Sequence, residues 1–189
     1  MSNYILFVED DTYFSEVLEA SIEAEMPNVR VVTINELSVF VGVLEKLKAF
    51  PPDAILLDLM ISTGGLKKNY PDIEDSDLKG GLSCINILNK FESTSKIPTI
   101  IISAIDISMI KDELGKNYSQ IIGCIQKPID KDDFTKIIEM LRSALILSGK
   151  SQKRKTGNTL EKFIESIEAK PGAFGFKVDL KKLLIKKKS

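Results

Sequence analysis

An α/β fold built on a parallel sheet is the class this sequence predicts, and two observations carry it. Strand signals alternate with stretches of helical spacing through most of the chain, and two apolar runs, residues 4–8 and 54–57, each end on acids: Glu9-Asp10-Asp11 and Asp58. Parallel strands open their carboxyl ends on one edge, where ligands of open α/β folds bind, so these acids form one candidate cation site.

The elements follow in order. After the first strand, residues 4–8, Phe14, Val17, Leu18 and Ile22 fall at helical spacing, and Asp11 or Thr12 supplies an N-cap whose polarity suits the helix dipole. Residues 29–33 form a second strand, and residues 37–50 a second helix that Pro51-Pro52 stops. The third strand carries Asp58. Residues 81–91 give a third helix, 99–103 the fourth strand, 107–116 a short fourth helix and the run 121–126 the fifth strand. Phe134, Ile137, Ile138, Leu141 and Leu145 then mark a long final helix with one apolar face. Residues 61–80 break the rhythm: loops in such folds run about 2 to 6 residues, so a stretch this long is functional or flexible.

The fourth strand ends on Ser103-Ala104 and the fifth on Lys127-Pro128, which brings a hydroxyl and an ammonium beside the acids. Acids holding a divalent cation, a carboxylate free to attack, a hydroxyl and a lysine together suit phosphoryl transfer to aspartate. There is no histidine in the 189 residues, and the two cysteines, Cys84 and Cys124, lie far apart. That excludes zinc-finger spacing, Ser-His-Asp and Cys-His catalysis, and makes a partner's histidine the donor in any phosphohistidine chemistry. Both thiols are expected to be reduced and structural.

Four segments, Ile-Leu-Phe-Val-Glu-Asp-Asp (5–11), Leu-Leu-Asp-Leu-Met (56–60), Ile-Ile-Ser-Ala (101–104) and Gln-Lys-Pro (126–128), resemble a response-regulator receiver domain of two-component signalling, in that family's order. The resemblance covers roughly residues 3–147. It implies a flavodoxin-like doubly wound sheet of five strands in the order 2-1-3-4-5 with five helices. It also implies Asp58 as phospho-acceptor, with Ser103 and Lys127 holding phosphoryl oxygens. Mg²⁺ or Mn²⁺ would be bound by Asp10 directly, by Glu9 through water, and by Asp58 and the backbone carbonyl of Met60. Asp11 leaves the register of the acidic trio open, and capping is its expected role. Small Ala104 would leave room for the phosphodonor, and Pro128 would follow a cis bond. No further cofactor is implied.

The chain departs from the family in three places. The equivalent of the glycine that follows the family's phosphorylated aspartate is Gly81, 23 positions after Asp58, so about fifteen residues are inserted within 61–80. Ser62 stands where the family has proline, and Cys124 where it has an aromatic three residues before the lysine. With Cys124 at that position, the usual aromatic switch and dimerisation through the fourth helix, fifth strand and fifth helix are left open.

One domain with an appendage is expected: a receiver domain over 1–149 and a basic linker and tail over 150–189, partly disordered or docked. The tail holds 12 Lys and Arg against 4 Asp and Glu, which leaves 14 against 23 in the body. It carries no helix-turn-helix signature, so sequence-specific DNA binding is not expected. Without an apolar stretch of ~20 residues or a basic region before its first apolar run, the chain is expected to be cytoplasmic, with no membrane span. Its expected partners are a histidine kinase or phosphotransfer protein and a downstream protein. It is expected to catalyse only its own phosphorylation and dephosphorylation. The alternative is a phosphorylation-independent pseudo-receiver scaffold acting through the insert and tail; a Mg²⁺-dependent phosphatase fits less well, because no second aspartate sits two after Asp58.

The tail cannot bury a core of its own. Truncation after Gly149 is expected to leave the circular dichroism spectrum and Asp58 labelling intact, and to remove a salt-sensitive association of the kind screened over ~8 Å at physiological ionic strength.

Overall fold

The computed structural model describes residues 3–62, 80–106, 108 and 119–149. The expected fourth helix at 107–116, most of the 61–80 stretch and the tail from residue 150 fall outside the described residues. Within them the order is β1 (Asn3–Val8), α1 (Thr12–Glu25), β2 (Val29–Ile34), α2 (Leu37–Ala49), β3 (Ala54–Leu57), α3 (Gly80–Asn89), β4 (Thr99–Ser103), β5 (Ile121–Gln126) and α4 (Lys131–Gly149). Four helices are therefore described, where five are expected.

All five strands pair in parallel, in the order β2-β1-β3-β4-β5. Alternation along the strands feeds two cores. On one face Tyr4, Leu6 and Val8 of β1 join Ile55, Leu57 and Ile101 beneath Phe40, Val43 and Leu47 of α2 and Leu82, Ile85 and Leu88 of α3. On the other, Ile5 and Phe7 join Leu56, Ile100 and Ile102 beneath Leu18 and Ile22 of α1 and Ile137, Ile138 and Leu141 of α4. Each such side chain contributes roughly 1.5–3 kcal/mol by leaving water. Both faces of the central strands are covered, which is why β1, β3 and β4 are apolar along nearly their whole length, whereas the edge strand β2 carries Arg30 and Thr33.

Element ends have local causes. Asp11 is the N-cap of α1, its Oδ1 accepting from Phe14 N–H at 2.9 Å, so Thr12 is the first helical residue. Helix α3 starts at Gly80 and stops at Asn89, two residues short of the expected Phe91. Lys90 and Phe91 N–H groups bond the carbonyls of Ile87 and Leu88, and the Thr94 hydroxyl donates to the Leu88 carbonyl at 2.6 Å, which tightens and closes the last turn. At the β2 edge, Glu23 Oε1 accepts from the Val31 N–H at 3.0 Å and Glu19 Oε2 accepts from the Thr33 hydroxyl at 2.7 Å. At the opposite edge the β4–β5 register slips, Thr99 facing Ile121 but Ile100 facing Gly123, so Ile122 is an extra, exposed residue.

The strand order reverses between β1 and β3. Ladder bonds run one residue beyond each strand: Glu9 N–H donates to the Ile34 carbonyl, Asp58 N–H to the Val8 carbonyl and Lys127 N–H to the Ser103 carbonyl. With Val8 opposite Leu57 and Ser103 opposite Gln126, residues 9, 58, 103 and 127 reach the same edge of the sheet.

Beyond β3 the backbone bearing Asp58 is pressed against the start of α3. A β-carbon on Gly81 would lie 2.2 Å from the Asp58 carbonyl oxygen and 2.6 Å from Leu59 Cα, and one on Gly80 would lie 1.9 Å from the Ile61 carbonyl oxygen. Rigid backbone fills these spaces, so only glycine fits. Gly42, in the middle of α2 and exposed, has nothing within 4 Å of its virtual β-carbon. In urea unfolding, Gly42→Ala is expected to stabilise the protein by about 0.5–1 kcal/mol by restricting the unfolded chain and favouring the helix. Gly81→Ala is expected to destabilise it by roughly 1–3 kcal/mol or more.

Candidate functional site

Asp58 sits at the carboxyl end of β3 with only 4% of its surface exposed. Burying a carboxylate requires donors, and three are supplied. Oδ1 accepts from Met60 N–H at 2.8 Å and from the Ser103 hydroxyl at 2.9 Å; Oδ2 accepts from Lys127 Nζ at 2.8 Å. Ser103 is itself fully buried, and its Oγ accepts from Ile105 N–H at 3.3 Å, which aims the hydroxyl proton at Asp58.

Glu9 is fully buried at the end of β1, and Lys127 Nζ bonds its Oε2 at 2.7 Å. Its Oε1 accepts from Asp11 N–H at 3.3 Å, and its backbone carbonyl accepts from Asn35 Nδ2 at 3.0 Å. One ammonium thus serves two buried carboxylates. Burial pushes the Glu9 carboxyl up to about 7; the Lys127 hydrogen bond lowers it only in part, and the neighbouring Asp58 charge adds to the rise. Burial by itself lowers the Lys127 ammonium, but the hydrogen bonds and charges of Asp58 and Glu9 outweigh it and leave its pKa raised.

Carboxylate oxygens of Glu9, Asp10 and Asp58 lie within 4.8 Å of one another. This hard oxygen set, with one exposed member, suits a divalent cation such as Mg²⁺ that keeps part of its water. Two of the three acids also carry Lys127, so a bound cation would share them with the ammonium. Asp11 lies outside this group, at the cap of α1. Met60 stands at the exposed rim two residues past Asp58. The residues singled out from sequence, Glu9, Asp10, Asp58, Met60, Ser103 and Lys127, are therefore brought together at one edge.

The Lys127–Pro128 bond is cis. Ala104 is exposed, and its carbonyl accepts from Gln126 Nε2 at 2.9 Å. Cys124 faces Ile101 in the ladder, half-buried against the α2–α3 core, where burial raises its thiol pKa. The sequence reading missed two neighbours of the site. Phe14 reads in the sequence only as an apolar helix position, yet its ring centroid lies 4.4 Å from Lys127 Nζ. Asn35, after β2, had no signal beyond its polarity; its amide reaches both the Glu9 carbonyl and, at 3.4 Å, Ser15 Oγ.

No family model matches the sequence, and no curated relative matches it. Solved structures do match, and the fold is that of receiver domains. A sensor protein from Polaromonas sp. JS666 superposes with a TM-score of 0.57 at 19% identity, over 77% of this chain and 98% of that one. The receiver domain of a sensor histidine kinase from Pseudomonas aeruginosa PAO1, with magnesium coordinated in its active-site cleft, gives 0.53 at 18%, over 76% and 99%. A Francisella response-regulator receiver domain gives 0.55 at 19%, over 80% and 100%. These neighbours fit almost whole within the chain.

The raised pKa of the Glu9 carboxyl would make binding of a cation beside it pH-dependent. Its folded pKa lies above the unfolded value of 4.5, so the metal-free fold binds the extra proton between pH 4.5 and 7. Stability from this group is full below pH 4.5 and lost as pH rises through 7. A cation needs the carboxylate, so Mg²⁺ affinity measured by calorimetry is expected to climb by up to about tenfold per pH unit below 7 and to level above it. Glu9→Gln is expected to flatten that climb.

Proposed function

We propose that this chain is a phospho-accepting receiver: it takes a phosphoryl group from a histidine kinase or phosphotransfer partner onto Asp58 and thereby changes its binding surface for a downstream protein. The observation that supports this most is the convergence of Met60 N–H, Ser103 Oγ and Lys127 Nζ on one buried carboxylate beside Glu9 and Asp10. A merely structural acid does not need an ammonium, a hydroxyl and two further carboxylates at the same strand edge.

In the transfer, a carboxylate oxygen of Asp58 attacks phosphorus, and the bond from phosphorus to the donor's imidazole nitrogen breaks with its electron pair leaving on nitrogen. Lys127 and Ser103, already on the two Asp58 oxygens, are placed to hold phosphoryl oxygens as charge shifts from the leaving group to the aspartyl phosphate. Glu9, Asp10, Asp58 and the Met60 carbonyl would hold Mg²⁺, which when bound offsets the repulsion between carboxylate and phosphoryl group. Hydrolysis returns the carboxylate and inorganic phosphate. The added charge of roughly −2 acts on Ser103 and Lys127, which report it to the surrounding loops. No separate substrate is turned over, and the site of action is the cytoplasm.

A second reading is favoured by Ser62 and Cys124, which stand where the family has proline and an aromatic. With a half-buried thiol where the family has an aromatic, the chain could act as a phosphorylation-independent scaffold. Incubation with acetyl phosphate and Mg²⁺, read by intact mass, separates the two. One acid-stable, base-labile phosphoryl group is expected on the wild-type protein and none on Asp58→Asn. Asp10→Asn is expected to slow labelling far more than Asp11→Asn, since Asp10 stands with the acids and Asp11 at the helix cap. An unlabelled wild type would leave the scaffold reading.

A further inference from the structure

The ammonium of Lys127 has two kinds of neighbour. Glu9 and Asp58 hold it by charge, at 2.7 and 2.8 Å. The Phe14 ring holds it by its face, with Nζ 4.4 Å from the centroid. The first kind changes during the proposed reaction. The carboxylates are shared with a cation, and Asp58 loses its negative oxygen when it becomes an acyl phosphate. The ring does not change.

Phe14 is also fixed from its own side. Its N–H donates to the Asp11 cap at 2.9 Å, which ties it to the first turn of α1. Its ring meets Phe7 of β1 edge to face, at 6.3 Å and 71°. A ring held by a helix cap and by the core strand beneath it is a rigid platform, and a half-buried ammonium above it is partly stripped of water, where attraction to the electron-rich ring face is strongest.

We propose that Phe14 is a positioning residue: its ring face seats the Lys127 ammonium and keeps it at the Asp58 oxygens while the carboxylates pass to the cation and the phosphoryl group. This rests on the receiver reading above and adds to it a contact carried by α1 rather than by the strand ends. Phe14 touches no reacting atom in this scheme; it acts through Lys127. The Asp11 cap thereby gains a function at one remove, since it holds the turn on which the ring stands.

The test replaces Phe14 with phenylalanines bearing one, two or three ring fluorines. Fluorine drains the ring face of electron density while barely changing its volume. With Mg²⁺ saturating, the rate of labelling by acetyl phosphate is expected to fall stepwise with fluorine count, by between about two- and thirty-fold across the series and in Phe14→Leu, with the melting temperature nearly constant. Phe14→Tyr and Phe14→Trp are expected to keep the wild-type rate. An independent readout needs neither metal nor donor: the Lys127 ε-methylene resonance should be displaced by the ring current in the wild-type protein and return to its ordinary position in Phe14→Leu. A flat fluorine series on a protein that labels normally, or an undisplaced Lys127 resonance, would overturn the seat alone. A wild-type protein that takes no phosphoryl group would instead overturn the receiver reading and the inference with it.

Discussion

One ammonium between two buried carboxylates is the constraint on which the rest depends. Glu9 and Asp58 come from neighbouring strands, and both are almost wholly removed from water. Placed there unpaired, two negative charges would push the strand ends apart and cost several kcal/mol each in lost hydration. Lys127 offsets that cost but cannot cancel both charges, so the site keeps an excess of negative charge and its least solvated member, Glu9, holds a proton well above the ordinary carboxylate range. An edge left short of positive charge in this way is prepared for a cation. The fold supplies the enclosure: ladder bonds continue past β1, β3 and β5, so the backbone N–H of Glu9, Asp58 and Lys127 is already satisfied by a neighbouring strand.

Much of this was legible in the sequence because the central strands are covered on both faces. A strand buried on both sides must be apolar throughout, so the first charged residue after it marks its carboxyl end. Glu9 and Asp58 stand at such a boundary, Lys127 follows the half-covered edge strand β5, and Ser103 is the last residue of its own run. Asp11 was open between ligand and cap from sequence alone; its Oδ1 on Phe14 N–H places it at the cap. What stayed hidden are contacts between elements distant in sequence. Lys127 was expected on Asp58, and its equally short bond to Glu9 follows only from the register of β1 against β3 and of β4 against β5. Phe14 carries an apolar side chain at helical spacing, and periodicity reports a core position whether the neighbour is a leucine or an ammonium. The end of α3 was also invisible, because the Thr94 hydroxyl that closes its last turn lies beyond the helix.

The glycines at the start of α3 bear on the same edge. The Asp58–Leu59 backbone lies so close to Gly81 that helix and loop behave as one packed unit, with Gly81 N–H donating to the Leu59 carbonyl at 3.1 Å. The described chain leaves this unit at Ser62 and resumes at Gly80, where an added β-carbon would run into the Ile61 carbonyl. Ser62 and Gly80, which flank residues 63–79, thus stand beside the strand that carries Asp58. Position of the acid is thus set by backbone contact, and composition of the stretch is free of that duty.

The carboxylates along the β2 edge bear on assembly. An unguarded outer strand offers a row of backbone donors and acceptors that another chain can extend, the route by which soluble sheets polymerise. Here Glu23 already occupies the outward Val31 N–H, and Glu19 stands over Thr33, so an incoming strand would have to displace two anions before making its first bond. At the far edge the extra residue Ile122 throws the ladder out of step. Among the described residues, growth of the sheet is therefore opposed at both edges.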